Sequence, residues 1–177
     1  MPTATLYTVA FVQAPAEQLQ WVQAIRAAHD PQASAIEPHY TLLFGVAEVP
    51  IREYLAHVAK IAGATSPIDF VCRRVELTVI EPEHRAFLYL APDEGRSDLA
   101  ALHDQLYTGP LRPFLRLDLP YLPHITIGST LDVSLAEELC ESLNAQSRIL
   151  RGQVKALTVG ALRNGKFIQL ANHQIAA

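Results

Sequence analysis

The sequence has little of several features that would point to a particular class of protein. Its 177 residues hold two cysteines, one tryptophan and one methionine, and they contain no dense run of lysine or arginine. The formal net charge of −4 argues against a broad surface for long nucleic acid, because duplex affinity comes largely from many phosphate contacts. A small nucleotide or a strand end needs only a local cationic spot and stays compatible with this charge.

Other absences indicate the cellular compartment and exclude some classes of enzyme. Cys72 and Cys140 form no CxxC pair, which predicts free thiols in a reducing compartment. No apolar run approaches the roughly 20 residues that span a bilayer, and the first residues lack a basic segment followed by an apolar core. We therefore expect a cytoplasmic monomer without a membrane span. The sequence also lacks a Gly-rich phosphate loop, HExxH and GxSxG, so metal hydrolases and serine hydrolases have no support.

Apolar residues make up 50% of the chain, which predicts a well-packed globular protein. Their spacing predicts the order strand, helix, strand, helix, strand in each half. Asn164-Gly165 predicts a hairpin between the last two strands, and Ser134 with Glu137 predicts a capping box at the fourth helix. The predicted strands cover residues 4–12, 39–46, 68–80, 85–91, 123–129, 152–162 and 166–171, and the predicted helices cover residues 16–29, 51–62, 97–108 and 134–145.

The repeated order indicates an internal duplication, although any chain that alternates helices and strands shows a rough repeat. The lobes would cover approximately residues 1–80 and 81–177, with strands exchanged between them. No linker rich in Gly, Ser or Pro separates the halves, so we expect them to pack as a single domain.

Each half carries the same short pattern on its second predicted strand. Residues 38–42 read Pro-His-Tyr-Thr-Leu and residues 123–127 read Pro-His-Ile-Thr-Ile. Because residues i and i+2 of a strand share a face, His39 projects with Thr41 and His124 projects with Thr126. The apolar residues between them point to the opposite face and can enter a core.

Two imidazoles and two hydroxyls suit chemistry at a phosphodiester. An ordinary histidine pKa lies near 6.5, so one copy can act as base and the other as acid near neutral pH. Each threonine hydroxyl can donate a hydrogen bond to a phosphate oxygen. This scheme needs no metal and no cofactor, and the near-symmetric pattern leaves open which histidine is the acid. The alternatives are that both histidines only satisfy strand ends, or that they bind a metal, for which the motifs offer no carboxylate partner.

The paired His-x-Thr-apolar runs resemble the duplicated signature of the 2H phosphoesterase superfamily, which includes bacterial 2′-5′ RNA ligases that are also RNA 2′,3′-cyclic phosphodiesterases. The resemblance implies an α+β, bilobal fold with two antiparallel sheets flanking a central cleft and helices outside. It implies that His39 and His124 are catalytic and that Thr41 and Thr126 bind phosphate. The substrate would be a small nucleotide or an RNA terminus with a 2′,3′-cyclic phosphate.

One departure from the RNA-ligase pattern concerns the substrate. Residues 128–130 read Gly-Ser-Thr, where the RNA-ligase branch often has an arginine soon after the second motif. This shifts the expected substrate from long RNA to a small or terminal phosphodiester. The alternatives are 2′-5′ ligase or 2′-5′ phosphodiesterase activity, another small cyclic phosphate such as an ADP-ribose derivative, and nucleotide binding without turnover. Further candidate substrate contacts are Tyr7, Tyr89, Tyr121 and Arg163.

Overall fold

The computed structural model describes residues 5–176, and this part of the chain contains nine strands and four α-helices. The strands are β1 (Leu6–Phe11), β2 (His39–Val46), β3 (Ile68–Cys72), β4 (Arg74–Ile80), β5 (Arg85–Ala91), β6 (Ile125–Thr130), β7 (Leu150–Val154), β8 (Ala156–Arg163) and β9 (Lys166–Gln174). The helices are α1 (Ala16–His29), α2 (Ile51–Gly63), α3 (Arg96–Leu106) and α4 (Val133–Ala145). A 3₁₀ helix over Gly109–Phe114 follows α3. The predicted start of the first strand at residue 4 lies outside the described residues.

The strands of residues 5–176 form three sheets in which every pair is antiparallel. The first sheet has the order β2-β1-β8-β9, the second has the order β4-β5-β6, and β3 pairs with β7. The α+β class with antiparallel sheets is therefore confirmed, with a separate two-stranded ladder in addition to the two predicted sheets.

Two strands that the sequence predicts as continuous are each broken at one residue. The predicted strand 68–80 is interrupted at Arg73, and the predicted strand 152–162 is interrupted at Lys155. Before each break the chain belongs to the β3–β7 ladder, and after it the chain enters a larger sheet. Each long prediction was wrong because a strand-like sequence resumes after the single charged residue at which the chain changes partners.

Strands cross between the two halves of the sequence. The first sheet combines β1 and β2 with β8 and β9, and the second combines β5 and β6 with β4. In the register, Tyr7 lies opposite Gly160, and Glu76 lies opposite Tyr89. Strands from both halves therefore build each of the two larger sheets. The division into lobes near residue 80 stays a prediction.

Local sequence signals set several helix ends. Helix α2 follows Pro50 and ends at Gly63, as predicted, since proline is favoured at a helix start and glycine at its end. The capping box predicted at Ser134 was wrong. Asp132 caps α4 instead, and its carboxylate accepts a hydrogen bond from the Leu135 N–H.

The apolar residues of both motifs are part of the hydrophobic core. Tyr40, Leu42, Ile125 and Ile127 are all 0% exposed, so the predicted alternation of the motif strands is confirmed. Helix α2 covers the inner face of the first sheet, where the hydroxyls of Tyr54 and Thr8 hydrogen-bond at 2.8 Å. Each motif is thus anchored by fully buried side chains, which fixes the orientation of the histidine and threonine on the other face.

Three further findings complete the description of residues 5–176. Within residues 5–176 no helix combines the length and the apolar character needed to cross a bilayer. Both cysteines are free thiols, as predicted. The predicted hairpin is present, and its turn residues Asn164 and Gly165 both have positive φ, as a tight type I′ connection requires.

Candidate active site

The two motif histidines lie where the two larger sheets meet. Strands β2 and β6 are edge strands of their sheets and contact each other. His39 is the first residue of β2, whereas His124 immediately precedes β6, which begins two residues later than predicted. The imidazoles are close enough for a charge on His124 to lower the pKa of His39. The fold thus brings together residues that are distant in the sequence.

Both imidazole rings are held in the same way by the backbone. Nδ1 of His39 donates a hydrogen bond to the Glu37 carbonyl at 2.7 Å, and Nδ1 of His124 donates to the Leu122 carbonyl at 2.6 Å. A carbonyl oxygen only accepts, so Nδ1 must carry the proton in both rings. In the neutral ring this leaves Nε2 with a free lone pair, which can accept a proton.

Burial keeps both rings neutral near neutral pH. Loss of water lowers the pKa of His39 to about 4, against a smaller raising effect of the Glu37 carbonyl and a further lowering by the charge of Arg26. Burial also lowers the pKa of His124, and the Leu122 carbonyl partly opposes this. A neutral Nε2 is ready to act as a base, and a bound anion would favour the protonated form that an acid needs.

The threonines share a sheet face with the histidines. Thr41 lies opposite Val9, and Thr126 lies opposite Tyr89 in the register. Both side chains are half-buried. Within residues 5–176 neither hydroxyl makes a side-chain hydrogen bond, so each is available to a ligand. Register shifts in the two strand pairs fall just beyond these threonines.

An aromatic ring lies against each histidine. The Tyr89 ring is tilted by 35° over His124 with a centroid distance of 3.9 Å, and Phe87 stacks on Tyr89 at 5.9 Å. The Phe11 ring meets His39 edge-on at 6.3 Å. The structure therefore brings Tyr89 into the site, and it adds Phe11, which the sequence analysis missed because its strand reads as uniformly apolar.

Two predicted contacts lie away from the histidines. Tyr7 is on the same strand face as Phe11 but four residues earlier, which is about 13 Å along an extended strand. Arg163 is exposed at the end of β8, opposite Lys166 at the hairpin turn. Neither side chain is brought to the pair of imidazoles.

Tyr121 links the two motifs instead of facing an open site. Its ring stacks on His103 with a centroid distance of 3.9 Å and an interplanar angle of 3°. Its hydroxyl donates a hydrogen bond to the carbonyl of Thr41 at 3.0 Å, and burial raises its pKa. The segment before the second motif is thereby tied to the first motif strand. His103 of α3 packs on this tyrosine.

Replacing Tyr121 by phenylalanine tests this link. The Tyr121→Phe variant should lose about 1 kcal/mol of unfolding free energy, because a buried hydrogen bond is removed while the ring stays in place. Urea denaturation of the parent and the variant measures this difference. Tyr7→Phe is the matched control, since its hydroxyl has no hydrogen-bond partner within residues 5–176. Equal stability of Tyr121→Phe and Tyr7→Phe would contradict the assigned role.

Buried charge next to the first motif was also missed. Arg26 and Asp30 form an ion pair of 2.9 Å at the end of α1, with side chains 2% and 3% exposed. The helical pattern of residues 16–29 gave no sign that an arginine lies on the inner face. Within the described residues no group of three or more His, Cys, Asp or Glu side chains is arranged to hold a metal ion.

Comparison with protein families shows to which superfamily the chain belongs. A model of the 2′-5′ RNA ligase superfamily matches residues 13–166. The chain belongs to this superfamily. The resemblance noted in the sequence is thereby confirmed, and membership of this superfamily of 2H phosphoesterases supports a phosphodiesterase or RNA-ligase-like enzyme. A search of curated proteins gives no match.

Solved structures share the superfamily fold at low sequence identity. Escherichia coli LigT complexed with NADP⁺ has a TM-score of 0.61 and 16% identity, with 100% of each chain covered. LigT complexed with 3′-AMP has a TM-score of 0.60 and 15% identity, with 99% of each chain covered. Kluyveromyces marxianus Usb1 has a TM-score of 0.57 and 11% identity, with 96% of this chain and 98% of that chain covered. These similarities concern the fold.

Proposed function

We propose that this protein is a metal-independent phosphodiesterase that hydrolyses a 2′,3′-cyclic phosphate on a nucleotide or an RNA end. The observation that carries the proposal is the matched pair of Nδ1-to-carbonyl hydrogen bonds at His39 and His124. They leave two Nε2 atoms as the reactive nitrogens of neighbouring rings. Structural histidines at strand ends would have no need of the same tautomer twice.

The proposed reaction uses one imidazole as base and the other as acid. The first Nε2 takes a proton from a water molecule, whose oxygen forms a new bond to phosphorus. The bond from phosphorus to one ribose oxygen breaks, and that oxygen receives a proton from Nε2 of the other imidazole, which enters the step protonated, as a bound anion favours. The product is an open phosphomonoester, and the proton held by the first ring returns to the second ring through solvent. The hydroxyls of Thr41 and Thr126 donate to non-bridging oxygens, where negative charge increases.

Features around the histidines favour a small nucleotide. A cavity of about 430 Å³ has Gln23, Glu37 and Gln169 among its lining residues, together with Phe11, whose ring meets His39 edge-on, and this volume lies in the range of small-molecule sites. An aromatic side chain with a few amide groups suits a nucleobase, which stacks and also forms hydrogen bonds. Solved structures of LigT with 3′-AMP and of Usb1 with uridine monophosphate support a nucleotide as ligand for this fold.

A substrate panel tests the proposal. The protein is incubated with EDTA and the four 2′,3′-cyclic mononucleotides, and the products are identified by chromatography and ³¹P NMR. We expect ring opening at the same rate with and without EDTA, with one isomer of the monophosphate in excess. Absence of turnover on every substrate, or activity that disappears with EDTA, would contradict the proposal.

A second candidate function is cleavage or formation of a 2′-5′ linkage. It is favoured by the aromatic rings on both sides, Phe11 at His39 and Tyr89 at His124, since a dinucleotide has a base on each side of its phosphate. The panel therefore includes a 2′-5′ linked dinucleotide and a cyclic phosphate of an ADP-ribose derivative. If either compound is turned over faster, it is a better candidate substrate than the cyclic mononucleotide. Tight binding without turnover would indicate a nucleotide-binding protein.

A further inference from the structure

The buried ion pair at the end of α1 is the feature that the proposed function leaves unexplained. Nε of Arg26 donates to Oδ2 of Asp30 at 2.9 Å, and both side chains are almost fully buried. Burying two charges is costly, and an uncharged pair of similar volume is often no less stable. Stability alone therefore gives little reason for this pair.

The pair fixes the chain segment that leads to the first motif. Nη2 of the guanidinium donates to the carbonyl of Ile36 at 2.8 Å, and Oδ1 of Asp30 accepts from the Gln32 N–H at 2.9 Å. The side chain of Gln23, also on α1, hydrogen-bonds to the carboxylate of Glu37. Helix α1 thus holds residues 30–37 at both ends.

This segment provides the group that orients the reactive ring. The carbonyl of the next residue, Glu37, accepts the Nδ1 proton of His39. Each peptide unit is a rigid plane, and Glu37, which joins the two planes, precedes Pro38 and is thereby restricted to extended backbone. Holding the Ile36 carbonyl therefore restricts the direction of the Glu37 carbonyl. We propose that Arg26, held by Asp30, is a positioning residue that fixes the tautomer and direction of His39 for the acid–base step. This inference rests on the proposed function.

The second histidine is supported in a different way. The segment before His124 is attached to the first motif by the Tyr121 hydroxyl and the Thr41 carbonyl, and within residues 5–176 the side-chain hydrogen bonds of Arg26 and Asp30 go to other residues. Within residues 5–176 Nη1 of Arg26 is buried without a partner, which is a further cost of keeping an arginine here. Loss of the ion pair should therefore affect His39 and spare His124.

The test removes the Arg26–Asp30 ion pair and the hydrogen bond to the Ile36 carbonyl while it keeps the fold. Arg26→Met alone leaves the Asp30 carboxylate buried and unpaired, so the main variant is Arg26→Met with Asp30→Asn. In this double variant the oxygen of the new side-chain amide can still accept the Gln32 N–H, no charge is stranded, and the contact with the Ile36 carbonyl is lost. Arg148→Met is the matched control, because Arg148 is exposed and its guanidinium lies 5.6 Å from the centre of the Trp21 ring on α1.

The readout separates this inference from the proposed function. Long-range ¹H–¹⁵N spectra at neutral pH distinguish Nδ1–H from Nε2–H tautomers ring by ring, with His39→Gln used for assignment. We expect the His39 ring of the double variant to become a mixture of tautomers while the His124 ring and the Arg148→Met control keep the parent spectrum. This measurement needs no substrate, so it decides the question even if every substrate in the panel is inert.

Kinetics give the second readout on whichever substrate the panel identifies. A ring that samples wrong directions should lower kcat by about 10- to 100-fold, with KM changed less than about threefold because the phosphate-binding threonines are untouched. An unchanged His39 spectrum in a folded double variant, equal changes in both rings, or an unchanged kcat alongside a changed His39 spectrum would each overturn the inference.

Discussion

Replacing either His39 or His124 by alanine should lower kcat for a 2′,3′-cyclic nucleotide by about 10²- to 10⁴-fold, the usual contribution of one acid–base group. The kcat of the double variant should be only slightly lower than that of the less active single variant. The two imidazoles act in one concerted step, so the effects of losing them are not additive. Steady-state rates and ligand binding, measured on purified variants of confirmed fold, check this expectation.

A matched histidine outside the site controls for the loss of an imidazole as such. His84 is exposed at the turn between β4 and β5 and has a φ of 50°, so His84→Asn is the suitable control, since asparagine tolerates this conformation. We expect His84→Asn to keep the parent rate. A His39→Ala or His124→Ala variant that retains more than about a tenth of the parent rate would contradict paired acid–base catalysis.

The free energy of unfolding should depend on pH through His39. Burial lowers the pKa of His39 to about 4 from an unfolded value of 6.5, so between these values the unfolded chain binds a proton that the folded chain excludes. The contribution of neutral His39 is fully present above pH 6.5 and is lost as the pH falls toward 4. At about 1.4 kcal/mol per pKa unit, the loss reaches at most about 3 kcal/mol.

Denaturation curves measured from neutral pH down to pH 4 test this effect by difference. The parent should lose more unfolding free energy over this interval than His39→Gln, which keeps a polar side chain but does not titrate. The carboxylates titrate in both proteins and cancel in the comparison. His124 contributes with the same sign, because burial lowers its pKa as well. Parallel curves for the parent and His39→Gln would show that the His39 ring is not held neutral by the fold.

Local signals in the sequence were sufficient to predict the α-helices and the burial of the apolar motif residues. Pro50 and Gly63 bracket α2, and the alternation around each histidine places Tyr40 and Ile125 in the core. The doubled pattern also predicted that distant residues converge, which the contact between β2 and β6 provides. The roles assigned to the four motif side chains remain predictions for the variants above.

Features that depend on distant partners could not be predicted. The breaks at Arg73 and Lys155 arise because each chain leaves one ladder for another sheet, and apolar alternation is the same on both sides of a break. Arg26 and Tyr121 act on backbone carbonyls, which every residue has and no sequence pattern marks. A polar side chain whose partner is a carbonyl therefore has the same sequence signature as one that faces water.

The pairing of strands from opposite halves of the sequence affects how the protein folds during synthesis. Strand β1 carries Phe11 and is central in its sheet only after β8 has paired with it, with Tyr7 opposite Gly160. During synthesis β1 leaves the ribosome long before β8, the partner on its other side. Until β8 arrives, β1 and β2 form a two-stranded antiparallel pair, which is marginally stable by itself. Such long-range pairing slows folding, so the His39 site should mature only after β8 has been translated.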